Sequence, residues 1–315
     1  MSKISIGISS CLLGEEVRFN GGHKHSSLCT SELGKYFDFK SVCPEMGIGL
    51  GVPRKPIRLV GDPNNPRAVG SDHPYIDVTD RLQAYGEKTL PHLKDICGYI
   101  FMKGSPSCGV FRVKVYRDNG MPNENPGSGI FASVIMENYP LLPVEEAGRL
   151  TDPVLKENFI NRIFAYYHWQ QLKNEGLKIS KILNFHSRYK YSLMAHSAYS
   201  CSKLGRMLAN AGSIDIEKLG DAYFTLFMQT LARKATRKTN TNVLMHLQGY
   251  LKTKLNRKET ATLGEVIEQY RRGILPMIVP VTLMKGLFRS HPNSYIEQQA
   301  FFRPYPEDLS LRNQI

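Results

Sequence analysis

Along the first 150 residues, apolar positions come in short runs separated by Gly, Pro and Ser. Lys3-Ile4-Ser5-Ile6-Gly7-Ile8 alternates with period two and runs straight into a turn bearing Cys11. Asp38-Phe39-Lys40-Ser41-Val42 ends at Cys43 in the same manner, and Gly98-Tyr99-Ile100-Phe101-Met102 leads to the turn that holds Cys108. These runs predict three strands. Between them the pattern predicts a short helix over 30–37 and a longer one over 80–96, which Pro91 bends or divides. Strands alternating with helices imply an α/β fold, Rossmann-like, with a mainly parallel sheet.

Beyond residue 150 the period changes to that of helices. Five are predicted, over 158–172, 190–211, 215–231, 243–255 and 262–273, with Pro276 and Pro280 breaking a late apolar segment. Arg303-Pro304-Tyr305-Pro306 reads as an extended tail packed on the surface. The join lies between Leu142-Pro143-Val144 and Thr151-Asp152-Pro153, where a helix start is written. The expected domains are therefore 1–148, α/β, and 149–315, all-α.

With 315 residues, 42% of them hydrophobic and 22% charged, the chain has a globular composition, which excludes a disordered or collagen-like protein. No apolar run approaches the roughly 18 residues of a membrane span. The opening MSKISIGISSCLLGEE lacks a signal peptide's apolar core and cleavage site, so a cytoplasmic location is expected. Charge changes the picture further. Residues 1–150 carry 17 Lys and Arg against 16 Asp and Glu, which leaves 24 against 12 for the remainder. That asymmetry points to a polyanion, nucleic acid above all, as the partner of the second half; a basic surface that only aids solubility is the plainer reading.

Of the six cysteines, Cys97 and Cys201 lie in apolar or helical surroundings and read as core, and Cys29 at a helix start is ambiguous. Cys11, Cys43 and Cys108 each follow a strand, in turns rich in Gly, Pro or Ser. Their wide spacing fits no C-x-x-C zinc knuckle. Three thiolates from three strand ends can hold a [4Fe-4S] cluster and leave one iron open; three unrelated buried cysteines are the alternative. Gly47-Ile48-Gly49-Leu50-Gly51 fails the G-x-G-x-x-G pattern because residue 52 is Val, which excludes a dinucleotide site. His23, Lys24 and His25 lack partners for zinc, and Trp169 with Tyr166 and Tyr167 has the spacing of core.

Ser9-Ser10-Cys11-Leu12-Leu13-Gly14, Cys43-Pro44-Glu45 and Ser105-Pro106-Ser107-Cys108-Gly109, with Val17-Arg18-Phe19-Asn20-Gly21-Gly22, resemble the thiouracil desulfidase family. The second half resembles the YbgA-like domain through Phe185 to Lys190, Leu193 to Ser197 and Pro304-Tyr305-Pro306. Together they are similar to two-domain bacterial desulfidases acting on 4-thiouridine in tRNA. The resemblance implies Cys11, Cys43 and Cys108 as ligands of a [4Fe-4S] cluster with an open iron, and Glu45 as the catalytic acid/base. Ser105 would be the assisting hydroxyl, with Ser107 its substitute. Free thiouracil is the competing substrate, and a non-catalytic Fe–S sensor that binds nucleic acid is the reading from another class. Arg54, Lys55 and Arg58, in a Pro-punctuated loop, are candidates for substrate phosphate, a solvated basic loop being the equal alternative. So are His186, Arg188 and Lys190 of the second motif, and Arg233, Lys234, Arg237 and Lys238. Those last four would form one ridge on a helix, extended by Lys252, Lys254, Arg257 and Lys258.

Overall fold

The computed structural model describes residues 3–212 and 214–315, and the chain separates into two units, Met1–Thr151 and Asp152–Ile315. The first runs through β1 (Ile4–Ser9), β2 (Phe37–Val42), α1 (Pro44–Gly47), β3 (Ile57–Asp62), β4 (Asn65–Gly70) and α2 (Thr79–Thr89). It continues through β5 (Tyr99–Phe101), β6 (Val115–Tyr116), α3 (Ile130–Asn138) and β7 (Val144–Glu146). Ile4, Ile6 and Ile8 of β1 are buried, and β1 lies inside a four-stranded sheet of order β2-β1-β5-β7. Every pairing in that sheet is parallel, with Ser9 opposite Val42 and Ile8 opposite Ile100. Parallel pairing brings the carboxyl ends of neighbouring strands to one edge, where α/β sheets bind ligands.

A second, three-stranded sheet of order β4-β3-β6 was not anticipated from the pattern. Its β3–β4 hairpin packs Leu59 and Ala68 against Val78, Leu82 and Ile130, which joins it to α2 and α3. The expected helix over 30–37 is instead a π turn (Leu28–Glu32) and a 3-10 turn (Leu33–Lys35) before β2. Gly34 weakens a helix interior there, and Phe37 is already committed to β2. Pro91 does divide the next segment: α2 ends at Thr89 and a 3-10 turn covers Leu90–Leu93.

The second unit is helical: α4 (Pro153–Asn174), α5 (Ile179–Ala209), α6 (Ile216–Ala232), α7 (Arg237–Gly249), α8 (Arg257–Arg271), α9 (Ile278–Ser290) and α10 (Ser294–Glu297). Asp152 caps α4 by accepting from the amides of Val154 and Leu155. Trp169 is buried, stacked on Phe224 at 4.9 Å with Phe185 edge-on at 5.2 Å, and so belongs to the core. The expected single helix over 190–211 is corrected. Ser197 has φ −164° and ψ 107°, and its hydroxyl accepts from the amide of Ser200, capping a new arm. Cys201 Sγ then meets the carbonyl of Lys190 at 3.5 Å, so the arms 179–196 and 198–209 fold back on each other. Pro280 does not break α9 either, since it lies in the first turn, where its missing amide costs nothing. In the tail, Tyr305 is buried with its hydroxyl donating to Glu157 at 3.1 Å, rather than lying on the surface.

Close packing extends to the loop that follows β5. Gly129 starts α3 against the Cys108 turn, and a Cβ there would lie 2.5 Å from the Ser107 carbonyl carbon. Gly129→Ala is expected to lower stability by about 1–3 kcal/mol, the usual cost of overpacking, as read by denaturant unfolding.

Candidate active site

Each of the three strand ends delivers one thiol. β1 passes into the 3-10 turn Ser10–Leu13 that holds Cys11, and Cys43 follows β2 at the N-cap of α1. Cys108 lies in the turn after β5, closed by the Gly109 amide donating to the Ser105 carbonyl at 2.8 Å. The Ser105 hydroxyl accepts from the amides of Ser107 and Cys108 at 3.2 and 3.1 Å, which fixes that turn from within. All three cysteines line one cleft of about 180 Å³, with Glu45, Arg54 and Ser105 beside them. Among the described residues, no three His, Cys, Asp or Glu side chains are grouped to hold a metal ion. The thiols share a cleft without closing on a point.

Glu45 is held at both carboxyl oxygens. Arg54 donates to Oε2 from Nε at 2.8 Å and approaches it with Nη2 at 2.7 Å. The Ser107 hydroxyl donates to Oε1. Ser105 and Ser107 hydroxyls are 3.4 Å apart, so a chain of oxygens runs from the cleft-lining Ser105 through fully buried Ser107 to the carboxyl. Arg54 also donates to the carbonyls of Val17 and Gly51, both at 2.8 Å.

The thiols are kept neutral. Burial raises the Cys11 thiol to about 11, with Cys43 adding to the rise. Cys43 is raised mainly by burial, and Cys108 is raised well above the ordinary thiol value by burial and then by Glu45 and Cys43. Cys29, Cys97 and Cys201 are buried and do not line this cleft.

Of the three loop cations read as phosphate contacts, only Arg54 lines the cleft, and its guanidinium is spent on Glu45. Lys55 is exposed at 3.6 Å from Asp72, and Arg58 packs over the Tyr116 ring at 5.5 Å. In the helical unit His186 Nδ1 shares a hydrogen bond with the Tyr223 hydroxyl at 3.1 Å, and burial lowers its pKa. Arg188 is exposed two residues further on, while Lys190 is half-buried beside the Tyr191 ring. The expected helical ridge is corrected: α6 stops at Ala232 and Thr236 caps α7, so Arg233 and Lys234 lie in the connection. Arg237 and Lys238 occupy the first turn of α7, and Arg257 and Lys258 that of α8. Sequence reasoning missed the holding role of Arg54 and the cleft-lining Arg18, Phe19 and Lys103. The stretch Val17 to Gly22 was the available signal for Arg18 and Phe19.

Residues 6–147 match the family of 2-thiouracil desulfurases, and residues 190–306 match a family described as protein of unknown function DUF1722. The uncharacterized protein YbgA of Escherichia coli K12 is 34% identical over 158 residues, 48% of this chain and 90% of that protein. The uncharacterized protein YbbK of Bacillus subtilis 168 is 32% identical over 139 residues, 41% of this chain and 88% of its own. Among solved structures, the [4Fe-4S]-dependent thiouracil desulfidase TudS is 26% identical with a TM-score of 0.38, covering 48% of this chain and 95% of that one. The chain therefore belongs to the 2-thiouracil desulfurase family through its α/β unit, which is joined to a helical unit of the YbgA-like, DUF1722 family.

Proposed function

We propose that this protein is a [4Fe-4S]-dependent desulfidase that converts 4-thiouridine in tRNA to uridine. The observation that carries the reading is the shared cleft: three thiols and a carboxyl held at both oxygens, at the strand ends of a desulfurase-family unit. Cys11, Cys43 and Cys108 would hold the cluster. The donor set suits it, because a cluster's own iron and sulfide keep its thiolate ligands apart, and thiolates are its usual ligands. When bound, the cluster supplies an iron without a protein ligand, a Lewis acid with affinity for soft sulfur.

The chain's own residues then manage protons and water. Glu45 accepts a proton from the water that attacks the thiocarbonyl carbon, or returns one to the ring nitrogen. Arg54 and Ser107 fix the carboxyl so that it need not reorganise during that transfer. Ser105, on the cleft side, positions the water, and its neighbour Ser107 links it to Glu45. Water supplies the new oxygen, the C–S bond breaks, and sulfur leaves as sulfide, with no net oxidation or reduction.

The basic second half supports tRNA as the substrate. Arg237 and Lys238 in the first turn of α7, with Arg233 and Lys234 before it, add cations to the positive end of a helix dipole, an arrangement that suits phosphate. Free thiouracil is the second reading, favoured by the description of the family that matches residues 6–147.

Anaerobically reconstituted protein is expected to convert 4-thiouridine in tRNA to uridine, followed by nucleoside mass spectrometry, and Glu45→Gln with its cluster intact to be slower by roughly 10²–10⁴-fold. Turnover of free thiouracil alone would leave the chemistry and remove tRNA. Because ligation requires thiolates and the three thiols are held neutral, loading expels protons. Iron affinity should therefore fall as pH is lowered from about 8.5 to about 6.5, by roughly tenfold per unit for each thiol deprotonated, as measured by iron and sulfide content at limiting iron. Charge reversal at Arg233, Lys234, Arg237 and Lys238 is expected to weaken tRNA binding and flatten its salt dependence in a binding titration.

A further inference from the structure

Tyr99 is the first residue of β5 and lies opposite Gly7 of β1. A Cβ at Gly7 would sit 2.2 Å from the Tyr99 ring, so the glycine is what lets the ring lie across β1. The ring stacks on Phe101 at 3.9 Å and meets Phe131 edge-on at 6.3 Å. Tyr99 is 0% exposed, and its hydroxyl has no hydrogen-bond partner among the described residues. Buried tyrosine hydroxyls ordinarily find one, because the desolvated O–H is otherwise uncompensated. Phenylalanine would fill the same space without that cost.

The surroundings of the hydroxyl show what kind of partner is missing. Burial, and then the charges of Cys108, Tyr85, Cys43 and Cys11, hold its pKa well above the ordinary tyrosine value, which puts the cleft cysteines among its neighbours. Tyr99 is not part of the cleft's own lining, but it lies on β5, which leads to the Cys108 turn, and opposite Gly7, two residues before the cleft-lining Ser9. Ser9, two residues along β1 from Gly7, accepts from the Met102 amide at 3.0 Å and hydrogen-bonds the Cys108 thiol. A second hydroxyl on the sheet therefore already addresses the same sulfur.

We infer that the Tyr99 hydroxyl is a hydrogen-bond donor to the sulfur of the bound cluster, either a sulfide or the ligating sulfur of Cys108, and that it tunes the electron density of the open iron. The inference rests on the cluster reading under Proposed function. A donor aimed at sulfur withdraws electron density from the iron–sulfur core, stabilises its reduced form and strengthens the Lewis acidity of iron. The low dielectric of a fully buried site strengthens the effect. Tyr99 is a positioning and tuning residue, since it touches neither the substrate nor the water.

The test is Tyr99→Phe in the full chain, reconstituted anaerobically with iron and sulfide beside the parent. With equal iron and sulfide content, the variant is expected to show a midpoint potential shifted to more negative values in an EPR-monitored redox titration. It should also lose iron to a chelator several-fold faster. Unloaded Tyr99→Phe should melt at a higher temperature than unloaded parent, because the uncompensated hydroxyl is gone, and this gain should vanish or reverse once both are loaded. That opposition of sign separates a cluster contact from a merely structural tyrosine. Loaded variant and parent with the same potential and the same iron loss would overturn the inference and leave the cluster reading standing; the hydroxyl would then be a merely structural buried group. A parent that takes up no cluster would overturn the cluster reading and this inference with it.

Discussion

A single buried guanidinium holds the site together. Arg54 reaches Glu45 after β2, the carbonyl of Val17 in the loop after β1, and the carbonyl of Gly51 beyond α1. Its side chain is 6% exposed and that of Glu45 15%, so their charges are compensated by each other and by those carbonyls rather than by bulk water. Removing one member of such a pair leaves the other uncompensated, which is far worse than never having buried either. The carboxyl is thereby locked in the orientation that lets Ser107 reach its second oxygen. Through Ser107 the third loop, carrying Cys108, is tied to the same point.

Three cysteines far apart in sequence come to share one cleft for two separate reasons. The parallel sheet brings the strand ends to one edge, but it does not fix what the loops do beyond it. That is settled by hydrogen bonds local to each loop: the Ser105 hydroxyl on the amides of residues 107 and 108, and the Arg54 fan across the others. Under the proposed function, chemistry and folding use the same contacts. A substitution that disturbs Arg54 disturbs the scaffold and the carboxyl together.

Legibility in the sequence depended on which signals are local. The period-two run at β1, the short apolar runs at β2 and β5 and the strand-end cysteines were legible because each run and the turn residues after it are written side by side. The β3–β4 hairpin was not, since Pro66 sits inside β4 and Gly61 inside β3, and its burial depends on α2 and α3 far along the chain. The reversal at Ser197 was hidden for another reason: helical periodicity continues on both sides, and the turn shows in the Ser197 backbone and the Cys201–Lys190 contact. Arg54 looked like a phosphate ligand because the sequence shows its charge and not its ion pair. The placement of Arg233 and Lys234 outside a helix depended on Thr236 and Thr239, whose reciprocal hydrogen bonds begin α7 later than the charge spacing suggested.

The neutral thiols of the cleft have a consequence for the chain's own reactivity toward oxidants. A thiol attacks peroxide or a disulfide only as its thiolate, and burial raises the pKa of Cys11, Cys43 and Cys108, which disfavours that form. Sulfenic acids and mixed disulfides with small cellular thiols therefore form slowly at all three. The same burial that makes each thiol costly to ionise also makes it a poor nucleophile toward oxidants.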